Sequence, residues 1–133
     1  MVRSAALAAL VILTAGLVAG CGAVPITTSG DPSAGKTLFT QNCGSCHTMK
    51  NAGTSGTTGP NLDDAFGSVR TPANGSFDES TIRDVVRGQI AYAELDPGTG
   101  KPGMPPDLIH GQEARNVAVY VAKCAAVKNC GVK

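Results

Sequence analysis

The chain has 133 residues and a formal net charge of +1, so its length suits one domain and its charge gives no general attraction to nucleic acid. It contains 17 glycines but only three Phe, two Tyr and no Trp. Such a loop-rich and aromatic-poor chain has little side-chain volume for a self-sufficient core, and it needs another source of order. A buried cofactor is one such source.

The N-terminal segment has the pattern of an export signal. Arg3 precedes an apolar run over residues 5–18, which is too short for a comfortable membrane span. Ala19 and Gly20 then stand directly before Cys21, as in a bacterial lipobox, where the cysteine is diacylated and becomes the new N-terminus. We therefore expect a lipoprotein signal peptide over residues 1–20 and a flexible tether over residues 21–30. The alternatives are an ordinary signal peptide with an incidental cysteine and an uncleaved anchor.

The motif CGSCH at residues 43–47 carries the most specific chemistry in the chain. Two thiols at this spacing, followed by an imidazole, are typical of c-type haem attachment. Cys43 and Cys46 each add to a vinyl group of the porphyrin, and His47 coordinates the iron from one side. A thioredoxin-like redox pair would need alternating strands and helices, which the sequence lacks. A zinc site would need a second closely spaced cysteine pair, which is also missing.

Two cysteines, Cys124 and Cys130, remain after Cys21 is assigned to lipid and the motif to haem. In an exported protein, a disulfide between them would leave no free thiol. A continuous straight helix cannot bring them together, so this disulfide requires the last helix to end near Val127. The alternative is two small apolar side chains packed near a helix end.

The segment before and after the motif is predicted as a helix followed by a loop. Asp31 is a good N-cap and Pro32 suits the first helical position. Gly35, Phe39 and both motif cysteines then follow along one side of this helix, together with Leu38. A glycine on that side indicates that another backbone passes close by. Residues 48–58 have no apolar periodicity and are predicted as loop.

Two further helices are predicted in the C-terminal half. Ile82, Val85, Val86 and Ile90 form a clean one-face pattern after a cap at Ser76 or Asp78. The last helix runs from about Gly111 to about Val127, with Glu113 in its first turn as the helix dipole prefers.

The order and spacing of these features resemble class I cytochrome c, the small single-haem electron carriers, over about residues 31–128. The matching positions are Gly35, Phe39, the haem motif with Thr48, the turn Gly59–Leu62, the loop Gly103–Pro106 and Tyr120. The resemblance implies an all-α cytochrome c fold over residues 31–133. In that fold three to four short helices and long loops wrap around one covalently bound haem c.

The resemblance also implies the axial ligands of the iron. His47 would be the proximal ligand, with the Pro60 carbonyl oxygen accepting a hydrogen bond from its Nδ1–H. Met104 is favoured on the distal side, because three prolines make its loop rigid and leave the side chain no helix or strand to face. Met49 is only two residues from His47 and cannot reach the opposite side of the haem. His110 is the alternative ligand, and an open or water-bound position is the third possibility.

The expected apolar lining of the haem is Leu62, Phe66, Ile82, Val85, Val86 and Leu108. With both axial positions filled by protein, the iron cannot bind a substrate. The expected function is therefore that of a one-electron carrier in a respiratory chain, without enzyme activity of its own. The alternatives are a haem-based sensor and an electron-donor subunit of a larger oxidoreductase complex.

The expected partners follow from this function. A quinol-oxidising complex or a dehydrogenase would be the electron donor, and a terminal oxidase would be the acceptor. The expected location is the extracytoplasmic face of a bacterial membrane, where the protein would be held by its lipid anchor.

Overall fold

The computed structural model describes residues 30–70 and 78–133. The signal peptide, residues 21–29 of the tether and the candidate cap Ser76 lie outside these residues. The elements are helix α1 (Pro32–Asn42), strand β1 (Thr48–Met49), a 3₁₀ helix (Lys50–Ala52), strand β2 (Thr54–Ser55), and helices α2 (Leu62–Gly67), α3 (Glu79–Ala91) and α4 (Gly111–Cys124). No helix within the described ranges has the length and apolar character that crossing a membrane requires.

Helix α1 begins where the sequence predicts it. The Asp31 side chain caps it by accepting a hydrogen bond from the Ser33 N–H at 2.8 Å, and Pro32 occupies its first turn. The helix ends at Asn42, one residue before the haem motif. The motif cysteines therefore lie on the turns that follow α1, where the sequence prediction had them along the helix itself.

Helices α1 and α4 cross at a close backbone contact centred on Gly35. A Cβ atom at this position would overlap with the Asn116 carbonyl oxygen, so only glycine fits. Beside the crossing, the rings of Phe39 and Tyr120 pack with their centroids 6.0 Å apart, and both side chains are fully buried. Burial, with a smaller effect of the Asp63 charge, raises the pKa of Tyr120 to about 12, so the phenol stays neutral. This crossing forms the centre of the hydrophobic core.

The segment after the motif is more ordered than the predicted loop. Strands β1 and β2 form an antiparallel hairpin in which Thr48 pairs with Ser55 and Met49 pairs with Thr54. The 3₁₀ helix makes the turn, and Gly53 closes it with a left-handed φ of 68°. Two-residue strands give too little alternation to be recognised from sequence.

Helix α3 is capped by Asp78, whose carboxylate accepts from the Thr81 N–H at 2.8 Å. Helix α4 ends at Cys124, three residues before the predicted end. Ala126 turns the chain back with a φ of 59°, and Cys124 is joined to Cys130 by a disulfide with a Cα–Cα distance of 5.0 Å. The earlier end of the helix, together with this turn, brings Cys130 back to Cys124.

Candidate functional site

The haem motif occupies a tight turn at the end of α1. The Cys43 N–H donates to the Phe39 carbonyl oxygen at 2.8 Å, which ties the motif to the buried end of the helix. The His47 N–H then donates to the Cys43 carbonyl oxygen at 2.9 Å. Both motif thiols are free and partly buried. The turn therefore presents two thiols and one imidazole from a single backbone unit that is fixed to the core.

The Cys43 thiol does not have the character of a redox-active cysteine. Burial raises its pKa to about 11, and the neighbouring Cys46 thiol adds to the effect. Thiol–disulfide exchange of the thioredoxin type uses a cysteine whose pKa is lowered so that the thiolate forms near neutral pH. Cys43 has the opposite shift, and the only sheet in the described part of the chain is the short antiparallel hairpin. Both observations argue against a thioredoxin-like site.

His47 is oriented by Pro60. Its Nδ1 lies 2.9 Å from the Pro60 carbonyl oxygen. A carbonyl oxygen can only accept a hydrogen bond, so Nδ1 carries the proton in the neutral ring and Nε2 keeps its lone pair. The imidazole is therefore in the tautomer that iron ligation requires, and the hydrogen bond raises its basicity as a donor.

A close approach by Gly59 fixes the plane of the imidazole ring. A Cβ at this position would lie 2.5 Å from Cε1 of His47, so any other side chain would collide with the ring. Gly56 approaches the backbone of Ser45 and Cys46 in the same way. Sequence analysis identified Gly59 only as part of a turn. The signal for this role in the sequence was that Gly59 directly precedes Pro60, the residue expected to orient His47.

The distal candidates occupy three different environments. Met49 is fully buried in the core of the polypeptide. The His110 side chain is 76% exposed, and its Nδ1 faces Oδ1 of Asp107 at 3.4 Å. Met104 is partly buried, packs against the core cluster and lies near His47. Of the three side chains, Met104 therefore combines proximity to His47 with a thioether that the core does not already enclose.

Most of the apolar side chains expected to line the haem are only partly covered by protein, which leaves apolar surface for a flat apolar ligand. Leu62, Phe66 and Val86 are only partly buried and pack against the core cluster. Val85 is 41% exposed and Leu108 is 49% exposed, whereas Ile82 is fully buried and belongs to the protein core. Together with the two thiols, the imidazole and the thioether, these partly covered side chains fit a haem. When bound, haem supplies an iron that changes its charge by one electron.

Comparison with known proteins identifies the family. The family model of Cytochrome c matches residues 32–125, which include helices α1 to α4 of the described ranges, the haem motif, Pro60 and Met104. Neither the search of curated proteins nor the search of solved structures found a match. The match confirms the predicted all-α fold and the predicted cofactor, a covalently bound haem c. The chain therefore belongs to the cytochrome c family, whose members transfer electrons through their haem and are generally not enzymes.

Proposed function

We propose that this protein is a class I, single-haem cytochrome c of bacterial lipoprotein type, which carries one electron at a time in a respiratory chain. In this proposal, Cys43 and Cys46 hold the haem, and His47 and Met104 are its axial ligands. The hydrogen bond between His47 and Pro60 is the observation that carries the proposal, because it leaves Nε2 unprotonated for the iron.

A six-coordinate iron suits electron transfer better than catalysis. With an imidazole on one side and a thioether on the other, the iron has no open position for a substrate or a gas. The thioether is a soft, neutral ligand that favours ferrous iron and raises the reduction potential relative to two imidazoles. The apolar lining acts in the same direction, because a low-dielectric environment disfavours the additional charge of the ferric form.

The spectrum of the intact protein tests the axial ligands. We expect the ferric form to show the weak far-red absorption of a thioether–iron bond, and we expect the ferrous form not to bind carbon monoxide. Ready binding of carbon monoxide by the native ferrous protein would reject the carrier and favour a haem-based sensor. Loss of the far-red band without carbon monoxide binding would point to a second imidazole, for which His110 is the candidate.

We also propose that residues 1–20 are a lipoprotein signal peptide, that Cys21 is diacylated, and that residues 21–30 tether the cytochrome c domain of residues 31–133. A chain of this length at the end of a lipid anchor would hold the haem domain just above the extracytoplasmic face of a bacterial membrane. Mass spectrometry of the expressed protein tests the anchor. We expect the mature N-terminus at Cys21 with added acyl mass, and we expect Cys21→Ser to move the protein from the membrane fraction to the soluble fraction.

The proposed partners are a quinol-oxidising complex or a dehydrogenase as donor and a terminal oxidase as acceptor. Lys50 and Lys101 are exposed and offer positive charge to an acidic partner surface. Reduction kinetics with membranes that contain each complex distinguish these partners. A protein that is reduced only when assembled with one oxidoreductase would be an electron-donor subunit of that complex.

A further inference from the structure

Two chain segments on the proximal side of the haem site are joined by hydrogen bonds in register. The first segment is 46–50, which contains His47, and the second is 59–63, which contains Pro60. The Gly59 N–H donates to the Cys46 carbonyl oxygen at 2.8 Å. The next bond with the same offset of 13 residues is the one between His47 and Pro60 at 2.9 Å.

A third bond with this offset involves the side chain of Asp63. The Lys50 N–H donates to Oδ2 of Asp63 at 2.6 Å, again across 13 residues. This bond lies on the far side of the His47–Pro60 bond from Gly59. The ligand hydrogen bond is therefore held between a backbone bond on one side and a carboxylate bond on the other. Of the two flanking bonds, only the carboxylate bond can be removed without changing a backbone group.

The Asp63 carboxylate also reaches the C-terminal turn. The Ala126 N–H donates to its Oδ1 at 2.6 Å. Ala126 lies within the loop that the Cys124–Cys130 disulfide closes. The two oxygens of one carboxylate thus bind backbone donors from two distant parts of the chain, and hydrogen bonds to a charged acceptor are stronger than those between neutral groups.

Asp63 is rigidly connected to Pro60. Asn61 caps helix α2, and its side chain accepts from the Asp63 N–H at 3.0 Å. Asp63 therefore cannot shift relative to Asn61 without breaking the cap, and Asn61 is bonded directly to Pro60. Movement at Asp63 would in this way be transmitted to the Pro60 carbonyl oxygen.

We infer that Asp63 is a positioning residue for the proximal ligand, and that its carboxylate holds the Pro60 carbonyl oxygen in line with Nδ1 of His47. The inference rests on the proposed role of His47 as the iron ligand. The hydrogen bonds of the Asp63 carboxylate go to the Lys50 and Ala126 N–H groups, and both of these residues lie outside the haem motif. Its effect on electron transfer acts through the hydrogen bond that sets the orientation and basicity of the imidazole.

The test compares Asp63→Asn with Asp64→Asn in the full-length, haem-loaded protein. Both changes remove one negative charge from the first turn of α2. Asp64 accepts a hydrogen bond from the Asn61 side chain at 2.7 Å, whereas the hydrogen bond to Lys50 belongs to Asp63, so the Asp64 variant controls for the lost charge. The primary measurement is the exchange rate of the His47 Nδ1 proton in the ferrous protein by ¹⁵N NMR. The reduction potential is the second measurement.

We expect Asp63→Asn to exchange this proton about tenfold faster than Asp64→Asn, because the flanking bond that limits local opening is weakened. We also expect its reduction potential to differ from that of the control. Equal exchange rates and equal potentials in the two variants would overturn the inference. Asp63→Ala extends the series, and should it fail to retain haem, the Asn variant, which keeps one acceptor oxygen, still decides the question.

The experiment distinguishes a wrong role for Asp63 from a wrong assignment of His47 as the iron ligand. A wild-type protein without an iron-bound His47 would lack the ligand imidazole resonances altogether. In that case the ligand assignment fails before the two variants are compared.

Discussion

The two sides of the haem site are held in different ways. On the proximal side, His47 is fixed by a side-chain hydrogen bond to Pro60 and by the close approach of Gly59. On the distal side, Met104 lies in a segment of mostly exposed residues, and its thioether is only a weak hydrogen-bond acceptor. The backbone of that segment is attached on both sides of Met104: the Gly103 N–H donates to the Glu94 carbonyl oxygen at 3.0 Å, and the Asp107 N–H donates to the Ile90 carbonyl oxygen of α3 at 3.0 Å.

This difference has a physical consequence. The proposed proximal ligand is placed by the polypeptide itself, so changes there should disturb folding and haem attachment together. The proposed distal ligand is placed by a proline-rich loop and by packing, so changes there should alter the coordination of the iron while the fold survives. The predictions below test this contrast, beginning with the largest expected effect.

We expect Gly59→Ala to cause the largest loss of covalently bound haem. The added Cβ would lie 2.5 Å from the His47 ring, and relieving this overlap would displace the ring or the Pro60 loop. Overpacking of this kind costs about 1–3 kcal/mol, and here it acts on the ligand itself. The amount of covalently bound haem, measured as the pyridine haemochrome, should fall sharply.

Gly88→Ala is the matched control, because a Cβ at Gly88 would meet no atom within 4 Å. Gly88 lies in the last turn of α3, where alanine should stabilise the protein by up to about 1 kcal/mol. Normal haem content and stability in Gly59→Ala would mean that the proximal side is not held as tightly as the geometry indicates.

We expect Met104→Ala to change the iron and preserve the fold. The far-red band should disappear, the ferrous form should bind carbon monoxide, and the reduction potential should fall because the thioether no longer favours ferrous iron. Circular dichroism should remain helical. Met49→Leu is the control, since it replaces a fully buried methionine at a cost of less than about 1.5 kcal/mol and should keep the far-red band. A far-red band retained in Met104→Ala would exclude this residue as the ligand.

We expect removal of the disulfide to loosen the outer support of the proximal side. Its loop is short, so replacing Cys124 and Cys130 by serine should lower the free energy of unfolding by about 2 kcal/mol. The Asn51 side chain should limit the damage, because it still donates to the Cys124 and Val127 carbonyl oxygens at 2.7 and 2.6 Å. Chemical denaturation measures the loss, and a reductant should change the wild type but not the serine variant. A wild type that is insensitive to reduction would contradict this role.

The smallest expected effect is a pH dependence of the protein's stability that comes from Asp78, the cap at the start of α3. Hydrogen bonds from the Ser80 hydroxyl, and then from the Thr81 N–H and hydroxyl, lower the pKa of Asp78 from 3.8 to about 2. Because the pKa is lowered in the folded state, ionised Asp78 stabilises the fold above pH 3.8, and this contribution is lost as the pH falls towards 2. Asn also caps helices but does not titrate. Thermal melts of Asp78→Asn should therefore change less than those of the wild type over this pH range, and parallel profiles would refute the assignment.

Local sequence patterns predicted much of the fold. Asp31 and Pro32 define the start of α1, and the glycine at position 35 correctly indicated a crossing backbone. The end of α4 was placed too late, because its alanine- and valine-rich sequence continues a helical pattern beyond Cys124. The hairpin over residues 48–55 was missed because each strand has only two residues. Both features depend on contacts with distant segments, which local periodicity does not contain.

The sequence by itself determined the chemistry of this protein. The CGSCH motif, read together with the export signal, predicts covalent haem, because the two thiols and the imidazole are neighbours in the chain. Only the tertiary structure decided how those groups are held. The tautomer of His47, the need for glycine at position 59 and the link from Asp63 to Lys50 and Ala126 all join residues that are 12 or more positions apart. The family resemblance predicted the hydrogen bond between His47 and Pro60, whereas the links of Asp63 arise only when the folded backbone brings distant segments together.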